Sequence, residues 1–121
     1  MASAIYTFDL HGPIVPKARP RAWQGRNLLP ENYRKWKLAA IADLRTQFYL
    51  EPLSNVAISI ALIGKHSRRG DADNIAGAIL DAMVQSGILK DDNLINVTAL
   101  AIELQYDKTQ QPKALITVST S

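Results

Sequence analysis

The chain has 121 residues, 47% of them hydrophobic, and a formal net charge of only +3, the profile of one ordinary folded domain spanning 1–121. It has no cysteine, which excludes disulfides and thiolate zinc sites and fits a reducing compartment. No apolar run approaches the ~20 residues of a membrane span; the start, MASAIYTFDL, lacks a basic n-region and is interrupted by Asp9, so no leader, no membrane span and cytoplasmic action are expected.

Residues 5–10, IYTFDL, alternate in polarity and predict a strand. From His11 to Asn32 the chain is broken by prolines and glycines and carries Lys17, Arg19, Arg21 and Arg26, which marks a candidate functional loop. A helix is predicted from about Asn32, its cap, with Tyr33, Trp36, Ala40, Ile41, Leu44 and Phe48 in one apolar stripe. Pro52 prevents its continuation. Residues 56–63, VAISIALI, predict a buried strand covered on both faces. After the polar KHSRRGD turn, a second helix is predicted from about Asn74 to Ser86, with Ile75, Ile79, Ala82 and Met83 inward. Asp73 can cap it, and Gly87 can stop it in a left-handed conformation. The segment 94–104 predicts a third strand and 113–118 a fourth, joined by a YDKTQQP turn.

The order β-α-β-α-β-β gives an α+β fold: a small mixed sheet packed against two principal helices. A strand–helix–strand unit favours a parallel crossover, and the final two strands favour a hairpin.

Charge is unevenly distributed. Residues 1–37 carry seven basic and two acidic groups, and residues 71–107 carry one basic and seven acidic groups. A basic region beside a carboxylate cluster suits a protein that holds a polyanion and does metal chemistry on it; simple surface asymmetry gives the same count. In Gly70-Asp71-Ala72-Asp73-Asn74 the two aspartates are two apart, and in an extended stretch both point to one side, toward one magnesium or manganese ion. The plainer reading makes Asp73 a helix cap and Asp71 a solvated turn residue. Asp91 and Asp92 precede the third strand. An antiparallel pairing of 56–63 with 94–104 would bring them to the same cavity as Asp71 and Asp73. Asp81 rises about 12 Å along the helix from Asp73, too far to share a metal. It is expected to make a structural contact or face solvent.

Lys65, Arg68 and Arg69 precede the aspartate pair, and Lys17, Arg19 and Arg21 lie in the PKARPR stretch. Both groups suit phosphate contact, and both also suit solvated loops. His66 is expected at the surface. No P-loop, zinc-finger pattern or nucleophilic triad is present.

The run RRGDADNIAGAILDAMVQSGILKDDNLI, Arg68 to Ile95, and the N-terminal VPKARPR segment resemble the RusA family of Holliday junction resolvases, and the resemblance covers nearly the whole chain. It implies a homodimer that binds four-way DNA junctions and introduces paired nicks by phosphodiester hydrolysis with Mg2+ or Mn2+. It implies Asp71, Asp73 and Asp92 as the essential, metal-binding carboxylates, with Asp91 a further candidate. Lys17, Arg19, Arg21, Lys65, Arg68 and Arg69 are the candidate DNA contacts. One departure stands out. The family carries a catalytic lysine four residues beyond the second aspartate, where this chain has Gly77. Lys65, Arg69 or Lys90 are the candidates to compensate, and a structure-specific DNA-binding protein with weak cleavage is the alternative.

Overall fold

The computed structural model describes residues 3–17, 21–23, 26–28 and 30–120, with 21–23 and 26–28 described by their backbone alone. Its elements are β1 (Ile5–His11), β2 (Arg21–Trp23), β3 (Arg26–Leu28), α1 (Glu31–Arg45), β4 (Val56–Gly64), α2 (Ala72–Gln85), β5 (Val97–Tyr106) and β6 (Lys113–Thr120). Four strands form a mixed sheet in the order β1-β6-β4-β5, and β2 and β3 form a separate antiparallel pair. The α+β class and the order of principal elements agree with the sequence reading. The small β2–β3 pair falls in the stretch read as a loop.

Alternation along β4 sets the layers. Val56, Ile58, Ile60 and Leu62 are buried, as period-two geometry requires of one face. Ala57, Ser59, Ala61 and Ile63 on the other face are only partly covered or exposed. The prediction of two covered faces is therefore corrected. The run is almost continuously apolar, but its open face carries small residues that need little cover.

Both helices join the core of the covered face. From α1 come Tyr33, Ala40, Ile41 and Leu44, and from α2 Ile75, Ile79, Ala82 and Met83, all members of the predicted stripes. Trp36 packs partly buried against the core, and Phe48, beyond the helix, meets the edges of Tyr6 and Phe8. The helix starts differ from expectation. Pro30 occupies the N-cap of α1 and Asp71 that of α2, and neither makes a side-chain cap bond. Asn32 accepts from the Tyr33 N–H instead, and Asp73 lies inside the first turn. Gly87 stops α2 as predicted, with a φ of 90° and its N–H on the Val84 carbonyl.

The last two strands do not form a hairpin. β6 pairs with β1 and β4, and β5 pairs with β4 alone. The connection 107–112 must therefore cross the end of β4, and Gly64 is where it crosses. A Cβ at Gly64 would lie 2.5 Å from the Gln111 carbonyl oxygen, and its φ is 101°, so only glycine admits the crossing without strain. The Asp107 N–H donates to the Gly64 carbonyl and the Lys65 N–H to that of Gln110.

Candidate functional site

Because β4 and β5 run parallel, with Val56 beside Val97 and Gly64 beside Tyr106, the two acidic segments lie at opposite ends of the β4-α2-β5 unit. Asp71 and Asp73 follow the C-terminal end of β4 and open α2. Asp91 and Asp92 follow Lys90, whose N–H donates to the Leu53 carbonyl just ahead of β4. The 14 residues of α2 separate the two positions, about 21 Å along its axis. The antiparallel pairing and the shared intrachain cavity expected for Asp71, Asp73, Asp91 and Asp92 are thus overturned. The strand–helix–strand connection returned the chain to the start of its neighbour, the ordinary outcome of a crossover. Among the described residues no cluster of three or more His, Cys, Asp or Glu side chains is close enough to hold a metal.

At the Asp71 end, Asp71 is extended (φ −76°, ψ 133°) and Asp73 is already helical, so the alternation of an extended strand does not relate their side chains. Both are exposed. The Asn74 amide donates weakly to Asp71 Oδ2 at 3.5 Å, and the Asp71 carbonyl accepts the Ile75 N–H. Anionic side chains are favoured at this helix end, and among the described residues neither carboxylate is in a salt bridge. They are hard oxygen donors not engaged in an ion pair, a chemistry that suits a divalent cation.

Basic residues surround this end. Segment 12–17 runs onto the start of α2: the Lys17 N–H donates to the Asn74 carbonyl at 2.9 Å. Pro13, Ile14, Pro16, His66, Gly70 and Ile75 line a cavity of about 110 Å³ between that segment and the turn before α2. From the other side, the Arg68 guanidinium sits 4.2 Å above the Tyr106 ring at the end of β5, and Lys65 and Arg69 are exposed on the same turn. Lys17, Lys65, Arg68 and Arg69 therefore lie on the two segments that flank the start of α2. Arg19 lies outside the described residues, and Arg21 is described by its backbone in β2.

At the Asp92 end the two neighbouring carboxylates differ. Asp91 is used by its own turn, accepting from the Asp92 N–H at 2.8 Å and the Asn93 amide at 3.3 Å. Asn93 in turn accepts from the buried Asn96 at 2.7 Å, and the Asn96 carbonyl takes the Val56 N–H. The Asp92 carboxylate, among the described residues, has no such partner and is exposed. Sequence reasoning missed Asn96, whose buried side-chain amide holds Asn93 while its backbone carbonyl joins the turn to β4; its only signal was a polar residue at the mouth of an apolar strand.

Two other residues resolve cleanly. His66 is buried, not superficial: its Nε2 lies 2.8 Å from the Lys113 carbonyl, because the turn folds under the end of β6. Asp81 is structural, one of the two roles expected of it. It accepts from the Tyr33 hydroxyl at 3.1 Å, from Lys37 Nζ at 3.3 Å and from Gln85 at 3.2 Å. Burial, together with the Asp81 charge, pushes the Tyr33 hydroxyl well above its ordinary pKa. Among the described residues no helix is long and apolar enough to cross a membrane.

The family model described as endodeoxyribonuclease RusA matches residues 11–119. A curated protein from Aquifex aeolicus (strain VF5), the crossover junction endodeoxyribonuclease RusA, is 34% identical over 86 residues, covering 67% of this chain and 67% of that protein.

Proposed function

The chain belongs to the RusA family of endodeoxyribonucleases, and from that premise we propose that it is a Mg2+- or Mn2+-dependent nuclease that resolves four-way DNA junctions in the cytoplasm. The observation that carries this reading is the pair of exposed, uncompensated carboxylates at the start of α2, flanked by Lys17 and the Lys65–Arg69 turn. Bare carboxylates repel a phosphate backbone, so their place among DNA-directed cations makes physical sense once a cation joins them. Asp71 and Asp73 would hold it at this end. When bound, it would supply charge neutralisation at the scissile phosphate and a more acidic attacking water. Lys17, Lys65, Arg68 and Arg69, with Arg19 and Arg21 from the same basic loop, bind and orient the phosphates.

Asp92 enters through a second copy of the chain. A four-way junction presents equivalent strands in pairs, which a two-fold homodimer matches. β5 is an edge strand of ten residues, and Leu94, Ile95, Leu100, Leu104 and Tyr106 are exposed on or just before it. An uncovered apolar edge of this length is a pairing surface. If two β5 edges meet antiparallel about a two-fold, the start of each lies beside the end of the other. That carries the Asp92 of one chain to the Asp71 and Asp73 of its partner, twice per dimer, and completes a three-carboxylate set that the described residues of one chain do not form. Asp91, committed to its turn, contributes less.

The alternative is a junction-binding protein with weak cleavage, favoured by the missing side chain at Gly77. A four-way junction labelled on each strand separates the two readings. We expect paired nicks in Mg2+ or Mn2+ and none in EDTA. Tight junction binding with no metal-dependent nicking across several junction sequences and pH values would establish the alternative.

A further inference from the structure

Gly77 lies four residues beyond Asp73 in α2, so the two positions stack one turn apart on the same helix face. The space above Gly77 is bordered by Lys17. A Cβ built there would lie 3.4 Å from Lys17 Cδ and 3.9 Å from Lys17 Cβ. The aliphatic stem of Lys17 thus crosses the helix where residue 77 has no side chain, one turn from Asp73. Its backbone is pinned there by the bond from the Lys17 N–H to the Asn74 carbonyl. Lys17 is exposed, and among the described residues its ammonium is in no salt bridge. Of the compensating candidates from sequence, Lys90 lies at the other end of α2, and Lys65 and Arg69 lie on the turn before it, whereas Lys17 is the residue in contact at position 77.

We propose that Lys17 is a catalytic residue of this nuclease, its ammonium contacting the scissile phosphate from the space above Gly77. The inference rests on the nuclease reading above and adds the cation that α2 itself does not carry. The bond that forms is from the water oxygen to phosphorus, and the bond that breaks is from phosphorus to the leaving sugar oxygen; the attacking water releases its proton to solvent, and solvent returns one to the leaving oxygen. Lys17 donates hydrogen bonds to the non-bridging phosphoryl oxygens as charge builds on them, and gives up no proton. A lysine is suited to this because its charge rides on a flexible stem that can lie across apolar backbone with the head in solvent. Gly77 and Lys17 form one arrangement: a long side chain at 77 and the Lys17 stem would compete for the same space.

The test is a swap. Single-turnover cleavage of a four-way junction is measured at saturating protein in Mn2+ for wild type, Lys17→Met, Lys17→Arg, Gly77→Lys and Lys17→Met with Gly77→Lys. Circular dichroism and junction affinity are followed alongside. Lys17→Met should lower the rate by about 10²–10³-fold, the cost of one oxyanion donor, while the protein stays folded and saturable. Lys17→Arg should keep part of the rate. Gly77→Lys alone should bring no gain, because it crowds Lys17, whereas the double variant should recover at least about tenfold over Lys17→Met. A saturated, folded Lys17→Met cutting at the wild-type rate would overturn the proposal and leave the nuclease reading intact. So would a folded double variant no faster than Lys17→Met. Wild-type protein that never cuts would remove the nuclease reading and the role of Lys17 together.

Discussion

Asp73 and Asp81 sit eight residues apart in one helix and are held in opposite ways. Asp81 is three-quarters buried as a side chain and takes a tyrosine hydroxyl, a lysine ammonium and a glutamine amide. Asp73 is exposed and, among the described residues, has neither a hydrogen-bonded nor an ionic side-chain partner. Asp92 repeats the second condition at the far end of the unit, beside an Asp91 that repeats the first. The difference separates carboxylates that the fold consumes from carboxylates that it leaves bare. A consumed carboxylate stabilises the chain. A bare one adds no hydrogen bond or ion pair to the chain and is available to a ligand.

The largest effects should follow from the bare group. Asp73→Asn keeps the side-chain volume and removes the charge. We expect cleavage to fall by at least about 10³-fold, since a cation ligand is lost, with thermal stability nearly unchanged because relieved repulsion with Asp71 offsets the charge lost from the N-terminus of α2. Cleavage rates and melting curves on the same preparation check both halves. A variant that unfolds would place Asp73 with the consumed carboxylates.

Asp81→Ala should do the reverse. It strands the Lys37 ammonium and the Tyr33 hydroxyl, and should cost roughly 1–3 kcal/mol in urea denaturation. Single-turnover cleavage at a temperature where the variant is folded should remain at the wild-type level.

A smaller and more specific effect belongs to Tyr33. Its folded pKa is raised above the ordinary 10.0, first by burial and then by the Asp81 charge. The folded state holds the proton that the unfolded chain releases, so this contribution is whole below pH 10 and is lost as pH rises beyond it. Tyr33→Phe should cost about 1 kcal/mol at neutral pH through the lost bond to Asp81. The difference between wild type and variant should shrink above pH 10 in denaturation curves taken across that range. A constant difference would mean that the hydroxyl titrates as in the unfolded chain.

Much of this was legible in residue pattern. The stripes of α1 and α2, the alternation in β1 and the Gly87 stop follow from local periodicity and backbone freedom, and the separation of Asp81 from the start of its helix followed from helix rise alone. The errors are non-local. Whether VAISIALI has one covered face or two depends on what packs against it, and small residues such as Ala57 and Ala61 do not declare which. Whether β5 and β6 pair depends on β4 being inserted between them, for which the local signal was Gly64 under the crossing loop. That same insertion decides where Asp92 lies. His66 was misplaced because a polar side chain in a polar turn gives no sign of being folded beneath β6. The Lys17–Gly77 contact joins residues sixty apart, and a missing side chain announces nothing about what fills its place.

The separation of Asp92 from Asp71 and Asp73 makes the central claim testable in one mixture. Asp73→Asn and Asp92→Asn proteins are each prepared folded and inactive, then unfolded together, refolded as mixed dimers and assayed on a labelled four-way junction in Mn2+. If each site takes Asp71 and Asp73 from one chain and Asp92 from its partner, a mixed dimer contains one doubly damaged site and one intact site. The mixture should therefore regain EDTA-sensitive nicking on single strands, at up to about one quarter of the wild-type rate when half of the dimers are mixed and each has one of two sites. If all three carboxylates served from the same chain, every site in every dimer would carry one substitution. A mixture as inactive as its parents, with mixed dimers demonstrated by differently tagged subunits, would contradict the account.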